Sequence, residues 1–236
     1  MVKIEVWSDY VCPFCYIGKR QLEKAIKDSG YEGQIDVTYK SFLLDPNTPV
    51  DINESVYESL SKKYNSPIEK IKAMTANVAE RAKEVGLVYN FSEMKAANTV
   101  KAHRLTKWVE TQSKELAGKF TEHVLQAYFI HGKAIGRNEE LLAIVESVGL
   151  SREEAEKVLK NNTFMQDVEQ DINEASQIGV RGVPFFVFEH KWGISGAQPQ
   201  DVFEKTIEQA AQHVGLKKNI QIVAEGATCT DDSCNI

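Results

Sequence analysis

Cysteine is scarce in this chain, four residues in 236, with none between Cys15 and Cys229. That excludes a disulfide-stapled scaffold, which is short and cysteine-dense. Long apolar runs are missing too. Nothing approaches the roughly 18 consecutive apolar residues that span a bilayer, and the opening MVKIEVWSDY carries no apolar stretch of signal-peptide length before a small-residue cleavage site. The expected location is therefore the cytoplasm, off the membrane. Basic excess is absent as well: the net charge is −6 and the pI about 5.5. Lys and Arg do not cluster into the basic face that nucleic acid requires, and there is no internal repeat or low-complexity tract. What remains, 42% hydrophobic and 26% charged residues, is an ordinary globular composition. The length suits one large α/β unit or a small domain with an insertion.

The four cysteines form two tight pairs at opposite ends, Cys12/Cys15 in CPFC and Cys229/Cys234 in CTDDSC. In a reducing compartment closely spaced thiols bind metal or turn over rather than staple. KIEVW alternates Val2, Ile4 and Val6 with Lys3, Glu5 and Trp7, the period of a strand. YIGKRQLEKAIKD then places Ile17, Leu22, Ala25 and Ile26 near one helical face and ends at Gly30. CPFC thus falls at a strand-to-helix turn, where Pro13 removes no needed donor. Ile35, Val37 and Tyr39 alternate in a second strand before Asp45-Pro46.

From about residue 51 to 178 the pattern is helical, with Ser66-Pro67-Ile68-Glu69, Ser151-Arg152-Glu153-Glu154 and Thr163-Phe164-Met165-Gln166 each in capping-box form. VPFFVFEHKWGISG then reads as two short strands turning near residues 189–191, and Pro199 opens a last helix. The expected divisions are 1–48 and 179–215 for an α/β unit, 49–178 for an all-helical insertion and 216–236 for a flexible tail.

At a helix N-terminus the free N–H groups and the macrodipole favour a thiolate. Cys12 is therefore expected as nucleophile and Cys15, one turn on, as the resolving thiol. The competing reading is a four-thiolate zinc site shared with Cys229/Cys234. Each half of such a site sits on a knuckle or ribbon rather than at the start of a long amphipathic helix, which favours redox chemistry. His103 on a helix, Trp7 and Phe14 beside the turn, and Asp9 just before it are residues whose commonest uses are packing and turn formation. His123, His131, His190 and His213 share no metal-binding spacing.

Three stretches in this order carry a resemblance: VWSDYVCPFC near the start, NTVKAHRL at 98–105 and IGVRGVPFFVF at 178–188. From Lys3 to about Val214 the chain resembles the DsbA family of thioredoxin-fold proteins, most closely its FrnE-like branch. The resemblance implies an α/β thioredoxin fold with a large inserted helical domain and a cis active-site proline at Pro184. It implies Val183, Pro13, Phe14 and His103 on the substrate-binding side, and an auxiliary redox pair at Cys229/Cys234, as in some FrnE-like proteins. The implied activity is that of a cytosolic dithiol–disulfide oxidoreductase or isomerase acting on disulfide-containing or unfolded proteins. It needs no bound cofactor and is recycled by glutathione or a thioredoxin-type reductant. The fold also resembles 2-hydroxychromene-2-carboxylate isomerases and kappa-class glutathione transferases, which leaves a glutathione-dependent small-molecule enzyme as the alternative. A zinc-binding or chaperone-like module is the non-enzymatic one.

Overall fold

The computed structural model describes residues 1–50 and 52–218, with the backbone of 228–229 and 234–235. The central strand β1 (Val2–Ser8) pairs in parallel with β2 (Ile35–Ser41), from Val2 opposite Ile35 to Ser8 opposite Ser41. On its other side it pairs antiparallel with β3 (Phe185–Phe188), which continues to β4 (Trp192–Ser195), so the strand order is β2-β1-β3-β4.

Helix α1 (Pro13–Asp28) joins β1 to β2. With the last long helix (Gln200–His213) it covers one sheet face, where Val2, Ile4, Val6, Leu22, Ala25, Phe186 and Phe203 form an apolar core. The period-2 pattern of β1 builds that face. Trp7, on the opposite face, is equally buried because Ala175 and Val180 cover it.

Between β2 and β3 run α2 (Val56–Lys63), α3 (Ile68–Lys83), α4 (Val100–Gln112), α5 (Lys114–Phe129), α6 (Asn138–Ser147), α7 (Arg152–Lys160) and α8 (Met165–Gln177); the last long helix is α9. Their core, with Leu105, Trp108, Phe120, Val124 and Leu141, also takes in Tyr10, Tyr16 and Ile17. Helix α1 therefore serves two cores, giving Leu22 and Ala25 to the sheet and Tyr16 and Ile17 to the insertion. The fold is an α/β thioredoxin fold with a helical insertion.

Two of the expected helix starts are built differently. At Ser66 no capping box forms: Pro67 is the cap residue of α3, and Ser66 instead pairs with Ser61, whose hydroxyl donates to its carbonyl at 2.5 Å. At Thr163 the cap falls on Phe164 in the left-handed region (φ 62°), and Arg104 Nε donates to the Thr163 carbonyl at 2.8 Å. Ser151 does accept from the Glu154 N–H. The complete box is Ser55/Glu58 at α2. In the expected tail, 228–229 and 234–235 pair antiparallel, with Cys229 opposite Cys234; the rest of that segment after residue 218 lies outside the described residues.

Asp171 of α8 ties the insertion to the sheet. Its Oδ2 accepts the Ser41 N–H at 2.7 Å and pairs with Lys107 Nζ of α4 at 2.6 Å, while its carbonyl accepts the Trp7 indole N–H at 2.9 Å. Lys40 on β2 adds an ion pair to Glu174 at 2.5 Å. Asp171 and Lys107 are both largely shielded from water. Removing Asp171 leaves the buried Ser41 N–H without its acceptor and Lys107 with the more distant Glu110 carboxylate, at 3.4 Å. Asp171→Ala is expected to destabilise the protein by roughly 3 kcal/mol, read as a lowered urea midpoint.

Candidate active site

The chain leaves β1 at Ser8, turns through Asp9 to Val11 and enters α1 with Cys12 as the cap residue, in extended conformation (φ −88°, ψ 112°). The Cys12 N–H donates to the Asp9 carbonyl at 3.1 Å, and the Cys15 N–H to the Cys12 carbonyl at 3.0 Å. Pro13 occupies the first helical turn, where a missing donor is harmless. No side-chain oxygen caps this end, and Cys12 is the residue from which the helix starts. Cys12 and Cys15 are both free thiols and both buried, 5% and 3% exposed.

A second wall faces the turn. The Val183–Pro184 peptide is cis, and the Cys12 thiol donates to the Val183 carbonyl with Sγ 3.5 Å away. Helix α1 approaches this segment closely at Gly18: a Cβ there would lie 3.0 Å from Phe186 Cζ and 3.1 Å from Pro184 Cγ. The insertion supplies a third wall. The Tyr89 hydroxyl donates to the Pro13 carbonyl at 2.7 Å, and the Arg81 guanidinium sits 5.0 Å over the ring of half-buried Phe14.

The two thiols have different electrostatic surroundings. Burial pushes the Cys15 thiol well above its ordinary range, and its hydrogen bond with Cys12 and the charge there push the same way. The Ser8 hydroxyl and the Asp9 backbone act in the opposite sense without outweighing burial. Cys15 is thus held as a protonated thiol behind Cys12. Tyr10, whose hydroxyl meets those of Thr106 and Thr121, is likewise pushed up to about 12 by burial.

Sequence reasoning placed His103 on the substrate-binding side. The structure buries it to 4% exposure, with Nε2 3.3 Å from Asp9 Oδ1 and its ring 4.8 Å from that of Tyr10. The other Asp9 oxygen accepts the Leu44 N–H at 2.8 Å. His103 therefore touches the turn through Asp9 and Tyr10. Cys12, Cys15, Pro13, Phe14, Val183 and Pro184 come together. The side chains of Cys229 and Cys234 lie outside the described residues. Among those described, no three metal-ligating side chains converge. A cavity of about 320 Å³ between α1, β2 and α5 is lined by Glu23, Tyr39, Glu110 and Lys114, among others, and by neither thiol.

Tyr89, Arg81 and Ser8 were not singled out from sequence. Tyr89 lies 76 residues from Pro13 in a segment without periodicity, so no local pattern marks it. Gly18 did leave a signal, since a glycine inside an amphipathic helix points to a close approach.

A thiol pair at a helix start, faced by a cis-proline loop on a four-stranded mixed sheet, defines a thioredoxin-fold dithiol site. Residues 3–208 match the model of the DSBA-like thioredoxin domain, and the chain belongs to that family. An uncharacterised Bacillus subtilis protein, YwbO, is 28% identical over 208 residues, covering 87% of this chain and 96% of its own. The crystal structure of a probable DsbA oxidoreductase from Streptomyces coelicolor superimposes with a TM-score of 0.84 at 29% identity, over 100% of this chain and 99% of that one. A 2-hydroxychromene-2-carboxylate isomerase shares the fold at 17% identity and TM-score 0.64, over 91% and 99% of the two chains.

Two outcomes follow from this geometry. Alanine ordinarily stabilises a helix interior by ~1 kcal/mol over glycine. At Gly18, however, the added methyl meets a rigid proline ring and fully buried Phe186, and overpacking of this kind costs ~1–3 kcal/mol. Gly18→Ala is expected to lower the urea midpoint despite its better propensity. The second concerns pH. A thiol raised in the folded state lends stability that is complete below its unfolded value of ~8.5 and is lost as pH rises toward the folded one. The reduced protein should therefore lose more stability between about pH 8 and about pH 10 than a Cys15→Ser variant does, by urea titration at each pH.

Proposed function

We propose that the chain is a dithiol–disulfide oxidoreductase in which Cys12 is the nucleophile and Cys15 the resolving thiol. The observation that carries this reading is the pairing of a thiol at an uncapped helix start, 3.5 Å from the Val183 carbonyl, with a second thiol kept protonated by burial one turn behind it. Thiol–disulfide exchange needs an attacking thiolate and a resolving thiol held back until a mixed disulfide forms. The Cys12 thiolate attacks one sulfur of a substrate disulfide, forming a Cys12–substrate bond and expelling the other half as a thiolate. Cys15 gives up its proton and attacks the Cys12 sulfur, closing the Cys12–Cys15 disulfide and releasing the second half. Two electrons pass from the dithiol to the substrate.

In this reading the segment Val183–Pro184 and the flanking Phe14 receive the substrate beside the sulfur. The protein works in the cytosol on protein or small-molecule disulfides, in the direction of reduction or isomerisation, and glutathione or a thioredoxin-type reductant restores its dithiol. No bound cofactor takes part. Among the described residues no helix is long and apolar enough to cross a membrane.

The glutathione-dependent isomerase or transferase is the second reading, supported by the fold shared with the isomerase. Cys15 argues against it, because a thiol one turn from Cys12 would intercept a Cys12–glutathione adduct. Turnover of a scrambled-disulfide protein in a glutathione buffer separates the readings. Wild type should restore native disulfides, Cys12→Ser should be inactive, and Cys15→Ser should accumulate a mixed disulfide detectable by mass. Inactive wild type holding stoichiometric zinc would make the thiols ligands instead.

A further inference from the structure

The chain holds six arginines, at 20, 81, 104, 137, 152 and 181. Four of them are committed. Arg20 pairs with Glu23 and Glu122, and Arg152 with Glu139, Glu146 and Glu156. Arg104 donates to the Thr163 and Val158 carbonyls, and Arg137 to Asn53. The other two are Arg81 and Arg181. Both are exposed, and among the described residues neither has an ion pair or a hydrogen bond.

Both arginines belong to segments that flank the thiol turn, one on α3 and one on the stretch leading to the proline loop. Arg81, on α3 of the insertion, sits 5.0 Å over the ring of Phe14, two residues after Cys12. Arg181 lies two residues before Val183, whose carbonyl is 3.5 Å from Cys12 Sγ. A protein with net charge −6 repels anions at long range, so a carboxylate-bearing substrate is drawn to the turn only by local positive charge. Guanidinium is the group suited to receive one, because its planar fork matches a carboxylate.

Resting on the oxidoreductase reading, we propose that Arg81 and Arg181 make this site selective for anionic disulfides, those carrying carboxylates close to the sulfur–sulfur bond. Arg81 stands beside the helix start, and Arg181 belongs to the segment that runs into the proline loop. They address groups on both sides of the disulfide under attack, and the exchange step itself is unchanged. The residues act on substrate encounter and orientation, so their effect is larger at low ionic strength.

The test follows single-turnover oxidation of the reduced full-length protein by three small disulfides: anionic glutathione disulfide, neutral hydroxyethyl disulfide and cationic cystamine. Each rate is normalised to the same reagent's rate with dithiothreitol. Wild type should favour glutathione disulfide over the neutral reagent and the neutral reagent over cystamine, with the spread narrowing in high salt. Arg81→Gln/Arg181→Gln together should lower the glutathione disulfide rate about fivefold, the scale of two exposed charge pairs. The ratio of the glutathione disulfide rate to the hydroxyethyl disulfide rate should fall by the same factor, and a urea midpoint equal to that of wild type shows that the variant is folded. An unchanged ratio of anionic to neutral rates in the double variant, or a wild-type preference for cystamine, overturns the selectivity. Failure of wild type to react with the neutral disulfide overturns the oxidoreductase reading itself.

Discussion

The dual burial of α1 is the constraint on which the rest of the molecule depends. One helix face completes the apolar layer beneath the sheet and the other enters the core of the insertion. An α-helix puts neighbours three and four residues apart on one face, so Leu22/Ala25 and Tyr16/Ile17 serve different surfaces without conflict. Its buried polar contacts follow the same division. Lys19, Arg20 and the Tyr16 hydroxyl all converge on Glu122 of α5, the last at 2.6 Å. With both faces anchored, the helix start cannot tilt independently of the sheet or of the insertion, and Cys12 is held opposite Val183.

The same constraint separates the two thiols. Cys12 occupies the cap, the last position before the helix and the one nearest the facing loop. Cys15 is the first thiol drawn inward, and desolvation dominates its titration. The chemical asymmetry of the pair therefore comes from where each stands on one helical turn. Asp9 serves the turn itself, with its carbonyl on the Cys12 N–H, one carboxylate oxygen on the Leu44 N–H and the other on His103.

Much of the fold was legible because its signals are local. The alternation of Val2, Ile4 and Val6, the helix after CPFC and the paired strands around residues 189–191 each follow from a short window of side chains. The dithiol stood out as a local motif, whereas the roles of Val183 and Pro184 came from the family resemblance alone. What escaped is long-range. Nothing near Tyr89 announces the Pro13 carbonyl, 76 residues away. His103 was set on the substrate-binding side by resemblance alone, and its contacts with Asp9 and Tyr10 are long-range ones that no short window contains. Ser66 and Thr163 had the residue types of capping boxes, yet the helices start one residue later, at caps Pro67 and Phe164, and the Thr163 hydroxyl donates to the Val158 carbonyl instead.

The hydrogen bond from Tyr89 to the Pro13 carbonyl bears on how proteins of this architecture diversify. The backbone between the two thiols is held in place by a residue of the insertion, and Arg81 of the same insertion stands on Phe14. The helical segment is therefore no neutral ornament that recombination can replace wholesale. Exchanging it for another segment would remove part of the active turn's support and part of its surface charge, so in this chain dithiol and insertion work as one unit.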